Sequence, residues 1–158
     1  MNQTKTVCFT GHRYIPAAHR ASLIEALKRE TERQIQSGAT VFRAGGALGF
    51  DTLAAITVLK LKKIYPHIRL ELILPCPTQA DGWEESDRIL YRKILDHADA
   101  HLYVSQSYYD GVLRLRNRRL VEGADVCIAY LTRSSGSGSA YTSMLALQSG
   151  LEYVNLGD

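Results

Sequence analysis

Apolar residues along this chain form short continuous runs that alternate with longer segments in which they recur every three or four positions. The short runs are rich in β-branched residues and are not interrupted by polar residues at every second position. Such runs are typical of parallel strands that are covered on both faces. We predict six strands, at residues 6–10, 40–44, 69–74, 101–105, 125–131 and 153–156.

The intervening segments carry the periodicity of helices. Leu23, Leu27 and Ile35 lie along one stripe of the first segment, and Gly38 stands where a C-terminal cap belongs. We predict helices at residues 17–37, 49–64, 84–98, 111–123 and 139–149. Strict alternation of strands and helices predicts right-handed crossovers and a single α/β domain over residues 1–158. Its doubly wound, mostly parallel sheet of about six strands carries helices on both faces.

Composition narrows the class of protein. The 158 residues are 46% hydrophobic and 22% charged, with a net charge of +3, so neither nucleic acid nor a membrane surface is required as a partner. Cys8, Cys76 and Cys127 are widely spaced, and the histidines form no ligand pair, so we expect reduced thiols and neither a disulfide nor a metal site. The N-terminus lacks an apolar signal segment, and no apolar run is long enough to cross a membrane, so we expect a cytoplasmic protein.

Three of the predicted strands end in glycine-bearing loops. These loops are residues 10–13 (Thr-Gly-His-Arg), 44–51 (Ala-Gly-Gly-Ala-Leu-Gly-Phe-Asp) and 134–139 (Ser-Ser-Gly-Ser-Gly-Ser). Ligands of open α/β sheets bind beyond the carboxyl ends of the strands, near the point where the strand order reverses. We therefore predict that the three loops converge on one rim of the sheet.

The second loop is the best candidate for a phosphate site. Glycines at Gly45, Gly46 and Gly49 allow positive φ angles and close approach to a ligand, and the following helix offers free N–H groups to an anion. The alternative is a tight strand-to-helix turn with no ligand. Neither this loop nor the third is a Walker A loop or a Gly-x-Gly-x-x-Gly dinucleotide motif.

The third loop repeats the design with hydroxyl groups. Gly136, Ser137, Gly138 and Ser139 bring backbone amides and side-chain hydroxyls that donate to phosphate or ribose oxygens. Two such loops in one small domain favour a ligand over purely structural turns.

Charged residues near the loops have both functional and structural interpretations. Arg13, which follows Gly11 in the first loop, could pair with a phosphate or simply cover a surface turn. Asp51 could accept from ribose hydroxyls or polarise a water, although a carboxylate in the first turn of a helix is also favourable against the helix dipole. Arg116 and Asn117 fall on the apolar side of their predicted helix and therefore need polar partners.

In this order, the loops resemble the YpsA-like branch of the SLOG superfamily, a Rossmann-like group that includes LOG-type nucleotide hydrolases and DNA-processing protein A. The resemblance spans nearly the whole chain, with matching pieces at residues 10–13, 45–51, 116–118 and 135–139. It implies a Rossmann-like sheet edge that binds a nucleotide-derived ligand such as ADP-ribose or an NAD-derived molecule. It assigns ligand contacts to Gly49, Asp51, Gly136 and Gly138, in bacterial proteins that have no settled activity.

One departure from the LOG-type pattern bears on catalysis. LOG-type hydrolases carry Pro-Gly-Gly-x-Gly-Thr-x-x-Glu at the third loop, and the glutamate takes part in cleaving an N-glycosidic bond. This chain has no carboxylate from Ser134 to Gln148. A hydrolase would need another acid or base, for which the candidates are Asp51 and His12.

Three functions remain open at this point. The first is binding or sensing of a nucleotide derivative, with the two later loops cradling phosphates, Arg13 and Arg116 neutralising their charge and Asp51 holding a ribose hydroxyl. The second is an enzyme that cleaves a glycosidic or phosphate bond of a nucleotide. The third is single-stranded DNA binding, suggested by the arginine-rich helix and opposed by the modest net charge.

We expect no required cofactor, and a homodimer or larger assembly because the helix at 49–64 is apolar on more than one face.

Overall fold

Strands and helices alternate along the protein as predicted. The computed structural model describes residues 4–132 and 138–157, with the side chains of residues 138 and 139 outside the description. Every element end lies within two residues of its predicted position. The elements are β1 (Lys5–Gly11), α1 (Ala17–Gln36), β2 (Ala39–Ala44), α2 (Phe50–Lys62), β3 (Arg69–Leu74), α3 (Glu85–His97), β4 (Ala100–Tyr103), α4 (Val112–Val121), β5 (Val126–Tyr130), α5 (Gly138–Gln148) and β6 (Glu152–Asn155).

The six strands form one sheet in the order β4-β3-β2-β1-β5-β6. All neighbouring strands run parallel, which confirms the Rossmann-like α/β prediction. From β1 the chain adds strands on one side as far as β4 and then crosses back to place β5 on the other side of β1. The strand order therefore reverses between β1 and β5, where α/β sheets bind their ligands.

Strand β1 shows why the apolar runs are continuous. Val7 and Phe9 pack in the larger core cluster, to which α1 and α2 contribute Leu27 and Phe50. Cys8, between them in sequence, faces the opposite way and packs in a second cluster with α4 and α5. Successive side chains of a strand point to opposite faces, so a strand covered on both faces has no polar side.

The three cysteines are buried and free. Cys8 and Cys127 occupy paired positions on the neighbouring strands β1 and β5, and both are fully buried, as is Cys76. Within residues 4–132 and 138–157, no group of three or more histidine, cysteine, aspartate or glutamate residues is arranged to hold a metal ion. Among the same residues, no helix has the length and apolar character needed to span a bilayer.

Candidate functional site

The loops after β1 and β2 are bonded to each other and to the end of β5. The Phe50 N–H group donates to the carbonyl of His12 (3.0 Å), and the His12 N–H group donates to the carbonyl of Tyr130 (3.3 Å). The Thr132 N–H group donates to Nε2 of His12 (3.0 Å). The first two loops thus meet at one rim, as expected from the neighbouring positions of β1, β2 and β5.

The third predicted loop lies largely outside the described residues. Gly136 and Ser137 fall in the segment 133–137, and Gly138 and Ser139 open helix α5. Their predicted contacts with a ligand therefore stay predictions.

Gly49 is required by the packing of one loop against another. Its backbone has a φ of +80° and a ψ of −122°, a conformation that residues with a side chain rarely adopt. A Cβ atom here would collide with the backbone carbonyl oxygen of Arg13 and lie 2.6 Å from that of His12. The position that a side chain would occupy is thus filled by the protein itself, whereas the sequence suggested close approach to a ligand.

Gly11 and Gly45 are likewise enclosed by protein atoms. A Cβ on Gly11 would lie 2.5 Å from the ring of Phe50. A Cβ on Gly45 would lie 2.7 Å from Nη1 of Arg116 and 2.9 Å from Oδ2 of Asp51. Gly45 therefore marks the place where the charged ends of two distant residues approach each other.

Asp51 is a buried carboxylate in the first turn of α2. Asp51 is 6% exposed, and its Oδ2 atom accepts a hydrogen bond from the Ala47 N–H group (3.2 Å). Burial raises the pKa of Asp51, and the charge of Arg116, the Ala47 N–H group and the charge of Arg13 oppose this rise. Among the described residues, no cation lies within 4.0 Å of this carboxylate, so its charge is balanced only at longer range.

Arg116 is a buried guanidinium with spare hydrogen-bonding capacity. The residue is 5% exposed, Nε donates to Oδ1 of Asn117 (2.8 Å), and Nη1 donates to the carbonyl of Gly45. These contacts confirm that a polar residue on the apolar side of α4 needs partners. Nη2 donates no hydrogen bond to any residue that the structure describes. Burial lowers the pKa of Arg116 and Asp51 raises it, but a guanidinium stays protonated in proteins.

Asn117 is the residue of this cluster that sequence reasoning did not assign to the site. It is 7% exposed, and its amide orientation follows from its neighbour, since Nε of Arg116 can only donate and must face the amide oxygen. The amide NH₂ group is left without a partner among the described residues. Its placement on the apolar side of α4 indicated that it needs polar partners, but this signal alone did not assign it to the site.

These side chains line a cleft of about 370 Å³ between the end of β1, the start of α2 and helix α4, which we call the Arg116 cleft. His12 contributes a ring whose pKa is lowered by burial, so it is a neutral imidazole at pH 7. The cleft thus joins two guanidinium groups, one carboxylate, one imidazole and one amide. Its lining residues are Thr10, Gly11, His12, Arg13, Ala47, Asp51, Leu113, Arg116, Asn117 and Leu120.

Gly46 and Gly49 do not line the Arg116 cleft but border a smaller cavity next to it. The other arginines of α4 also lie elsewhere: the guanidinium of Arg114 stacks over the ring of Tyr141 at 4.8 Å, and Arg118 is exposed. The structure therefore separates Arg116 from Arg114 and Arg118 of the same helix.

Comparison with known families agrees with this arrangement of loops and strands. The YpsA family model, described as the YspA SLOG family, matches residues 16–152. The chain belongs to the YpsA family. The match includes Asp51 and Arg116, whereas the loop at residues 10–13 precedes it. The predicted resemblance is thereby confirmed.

Relatives of this YpsA-family chain include UPF0398 proteins from several bacteria. One from Halalkalibacterium halodurans is 33% identical over 147 residues, which cover 87% of this chain and 78% of that protein. One from Brevibacillus brevis is 35% identical over 120 residues, covering 74% of this chain and 64% of that protein. One from Levilactobacillus brevis is 30% identical over 93 residues, which are 59% of this chain and 49% of that protein. The names of these relatives state no activity.

Proposed function

We propose that this protein binds a phosphate-bearing, nucleotide-derived small molecule in the Arg116 cleft. The observation that carries the proposal is the buried guanidinium of Arg116, whose Nη2 group has no partner among the described residues. Nη2 is not among the fully buried polar atoms and therefore reaches the open space of the cleft, where an anion would supply an acceptor for a charge-assisted hydrogen bond.

The other side chains of the cleft suit the remaining parts of such a ligand. Arg116 and the amide of Asn117 donate to phosphate oxygens, and charge-assisted hydrogen bonds of this kind are about twice as strong as neutral ones. Arg13, which is exposed at the edge, adds a second positive charge. Asp51 offers a carboxylate oxygen to a ribose hydroxyl. NAD-derived molecules and ADP-ribose combine these groups, and membership of the SLOG superfamily supports this ligand class.

Calorimetric titration of ADP-ribose and of ribose 5-phosphate tests the proposal. Replacing Arg116 with methionine should weaken binding by about 10- to 100-fold, the equivalent of losing a hydrogen bond to a charged group. Arg118→Met is the matched control, because it removes the same charge from the same helix at an exposed position. Arg116→Lys keeps the charge but not the planar fork, and it should also bind weakly.

Two results would count against binding in this cleft. One is the absence of binding to folded wild-type protein. The other is an equal loss in Arg116→Met and Arg118→Met, which would mean that only net charge matters. Circular dichroism of each variant shows whether it is folded.

A second candidate function is hydrolysis of a glycosidic or phosphate bond, with Asp51 and His12 as the acid–base pair. The observation in its favour is that Asp51 and His12 line the same cleft, and that burial raises the pKa of Asp51 toward the range in which a carboxyl group transfers protons effectively. Chromatography of ADP-ribose, NAD and nucleoside monophosphates after incubation with the protein tests this function. Asp51→Asn should then abolish turnover and leave binding nearly unchanged.

Single-stranded DNA binding, the third alternative, has less support from α4. Arg114 stacks on Tyr141 and Arg119 pairs with Glu122 (3.7 Å), so these side chains are partly engaged within the protein. A DNA-binding function would require an affinity for oligonucleotides that falls steeply with salt.

A further inference from the structure

A second cavity of about 130 Å³ lies next to the Arg116 cleft, between helices α2 and α3 and the loop that follows β2. We call it the α2–α3 cavity. Much of its wall is apolar, with Leu72 fully buried and Ile94 only 6% exposed. Arg20 and Asp87 also line the cavity, so charged groups stand at part of a largely apolar wall. An apolar cavity of this kind favours a flat or aliphatic group over a charged one.

Asp51 connects the cavity to the Arg116 cleft. The residue lines both spaces, and Gly46 and Gly49 of the same loop line the cavity. A ligand whose sugar hydroxyl binds Asp51 is therefore at the border between a polar, cationic space and an apolar one. A nucleotide has the same division, with phosphate on one side of the ribose and an aromatic ring on the other.

Two aromatic residues in the wall are suited to a ring. Trp83 and Tyr91 contact each other with their ring centroids 5.3 Å apart and their planes at 76°, so an edge of one meets the face of the other. The hydroxyl of Tyr91 is buried away from the cavity, so the wall offers aromatic carbon to a ligand at this point. An aromatic ring packs against such a wall better than a sugar or a phosphate does.

The volume restricts the size of that ring. A dry cavity of about 150 Å³ in another protein holds one benzene molecule. The α2–α3 cavity, at about 130 Å³, is slightly smaller, so it has room for at most one six-membered ring and not for the fused rings of a purine. We propose that it binds the single heteroaromatic ring, of the pyridine or pyrimidine type, of a nucleotide-derived ligand. This inference rests on the proposed function, since Asp51 and the Arg116 cleft anchor the rest of the ligand.

Trp83 provides a specific reporter, because it is the only tryptophan in the chain. The fluorescence of Trp83 is followed while the protein is titrated with nicotinamide mononucleotide, uridine monophosphate, adenosine monophosphate or ribose 5-phosphate. Calorimetry measures the four affinities in parallel. The first two should bind at least about tenfold more tightly than ribose 5-phosphate, because they bury an aromatic ring, and should change the fluorescence. Ribose 5-phosphate should bind without changing it, and adenosine monophosphate should gain little from its larger ring system.

Filling the cavity gives the matched test. Leu90→Phe adds volume at the cavity wall, while Ile89→Phe places the same side chain on a half-exposed position of the same helix that does not line the cavity. Only Leu90→Phe should remove the tenfold advantage of the single-ring nucleotides, with the affinity for ribose 5-phosphate unchanged. Trp83→Leu, which removes one aromatic ring from the cavity wall, should reduce the same advantage in calorimetry and serves if Leu90→Phe does not fold.

The two proposals fail in different ways. If ribose 5-phosphate binds but single-ring nucleotides bind no better and leave Trp83 fluorescence unchanged, the ring site is wrong and the phosphate site stands. A purine nucleotide that binds best also overturns the inference. If no phosphate compound binds to wild-type protein, the proposed function is wrong as well.

Discussion

Replacing Gly49 with alanine is expected to destabilise the protein considerably more than the same replacement at Gly38. Both glycines have positive φ angles, +80° at Gly49 and +106° at Gly38. A Cβ on Gly38 would meet no atom within 4 Å, whereas one on Gly49 would collide with the backbone of the loop after β1. At Gly49 the ψ of −122° also lies outside the left-handed helical region, so the difference between the two variants combines the displacement of that loop with a larger backbone cost.

The two costs have different sizes. A left-handed backbone costs alanine about 1–2 kcal/mol, partly offset by about 0.4–1 kcal/mol from the lower entropy of the unfolded chain, so Gly38→Ala should lose about 1 kcal/mol. At Gly49 the added methyl also has to displace backbone atoms, and overpacking of this kind typically costs about 1–3 kcal/mol. The displaced backbone includes the His12 carbonyl that accepts from the Phe50 N–H group (3.0 Å), so that hydrogen bond is threatened too. The expected difference between the variants is about 2–4 kcal/mol.

Urea unfolding followed by circular dichroism measures this difference, and thermal unfolding provides a check. For a chain of this length, 1 kcal/mol corresponds to roughly 2–4 °C in Tm, so Gly49→Ala should melt at least about 4 °C below Gly38→Ala. Equal losses in the two variants would refute the packing of the loop after β2 against the loop after β1. A folded Gly49→Ala protein should also bind ribose 5-phosphate weakly, because Arg13 and His12 would be displaced from the cleft.

Two further predictions concern stability. Burial raises the pKa of Asp51 above its unfolded-chain value, so Asp51→Asn should raise the free energy of unfolding at neutral pH. This gain should vanish as the pH falls to the unfolded-chain pKa. Urea unfolding measured across this pH range would contradict the reasoning if the gain were constant. Asn155→Ala should lower the free energy of unfolding, measured with urea, by about 1–3 kcal/mol. Its side chain accepts hydrogen bonds from the Leu131 and Gly157 N–H groups (2.9 and 3.0 Å) and donates one to the Leu131 carbonyl (3.0 Å). An unchanged unfolding midpoint would argue against this bridge.

The fold was predictable because each strand carries the same local signal. In β1 the apolar run continues through Val7, Cys8 and Phe9, and only a strand covered on both faces tolerates this. Helix ends were equally local, as at α1, which ends one residue before its predicted end and is followed by Gly38. The strand order was not predictable in the same way, since nothing in the pattern of β5 distinguishes a place beside β1 from one beside β4.

The role of the glycines depended on residues far away in sequence. Gly45 contacts Arg116, 71 positions later, and Gly49 contacts the loop that begins 39 positions earlier, at Thr10. A local pattern of glycines indicates that close approach occurs but not what approaches. In this chain the described neighbours are the protein's own backbone, a phenylalanine ring and two charged side chains, so glycine content alone does not establish a phosphate site.

Helix α4 carries the stronger argument for a ligand. Its apolar side includes Arg116 and Asn117, and their mutual hydrogen bond consumes the only acceptor of the pair, the amide oxygen. What remains, among the described residues, is a set of donors at the surface of a cleft, with one carboxylate, Asp51, beyond direct pairing distance. Donors in excess of acceptors need an anion with several oxygens, and a phosphate meets that need better than water does. The affinity for phosphate is therefore expected to depend on which residue of α4 is replaced, and the contrast between Arg116→Met and Arg118→Met measures this dependence directly.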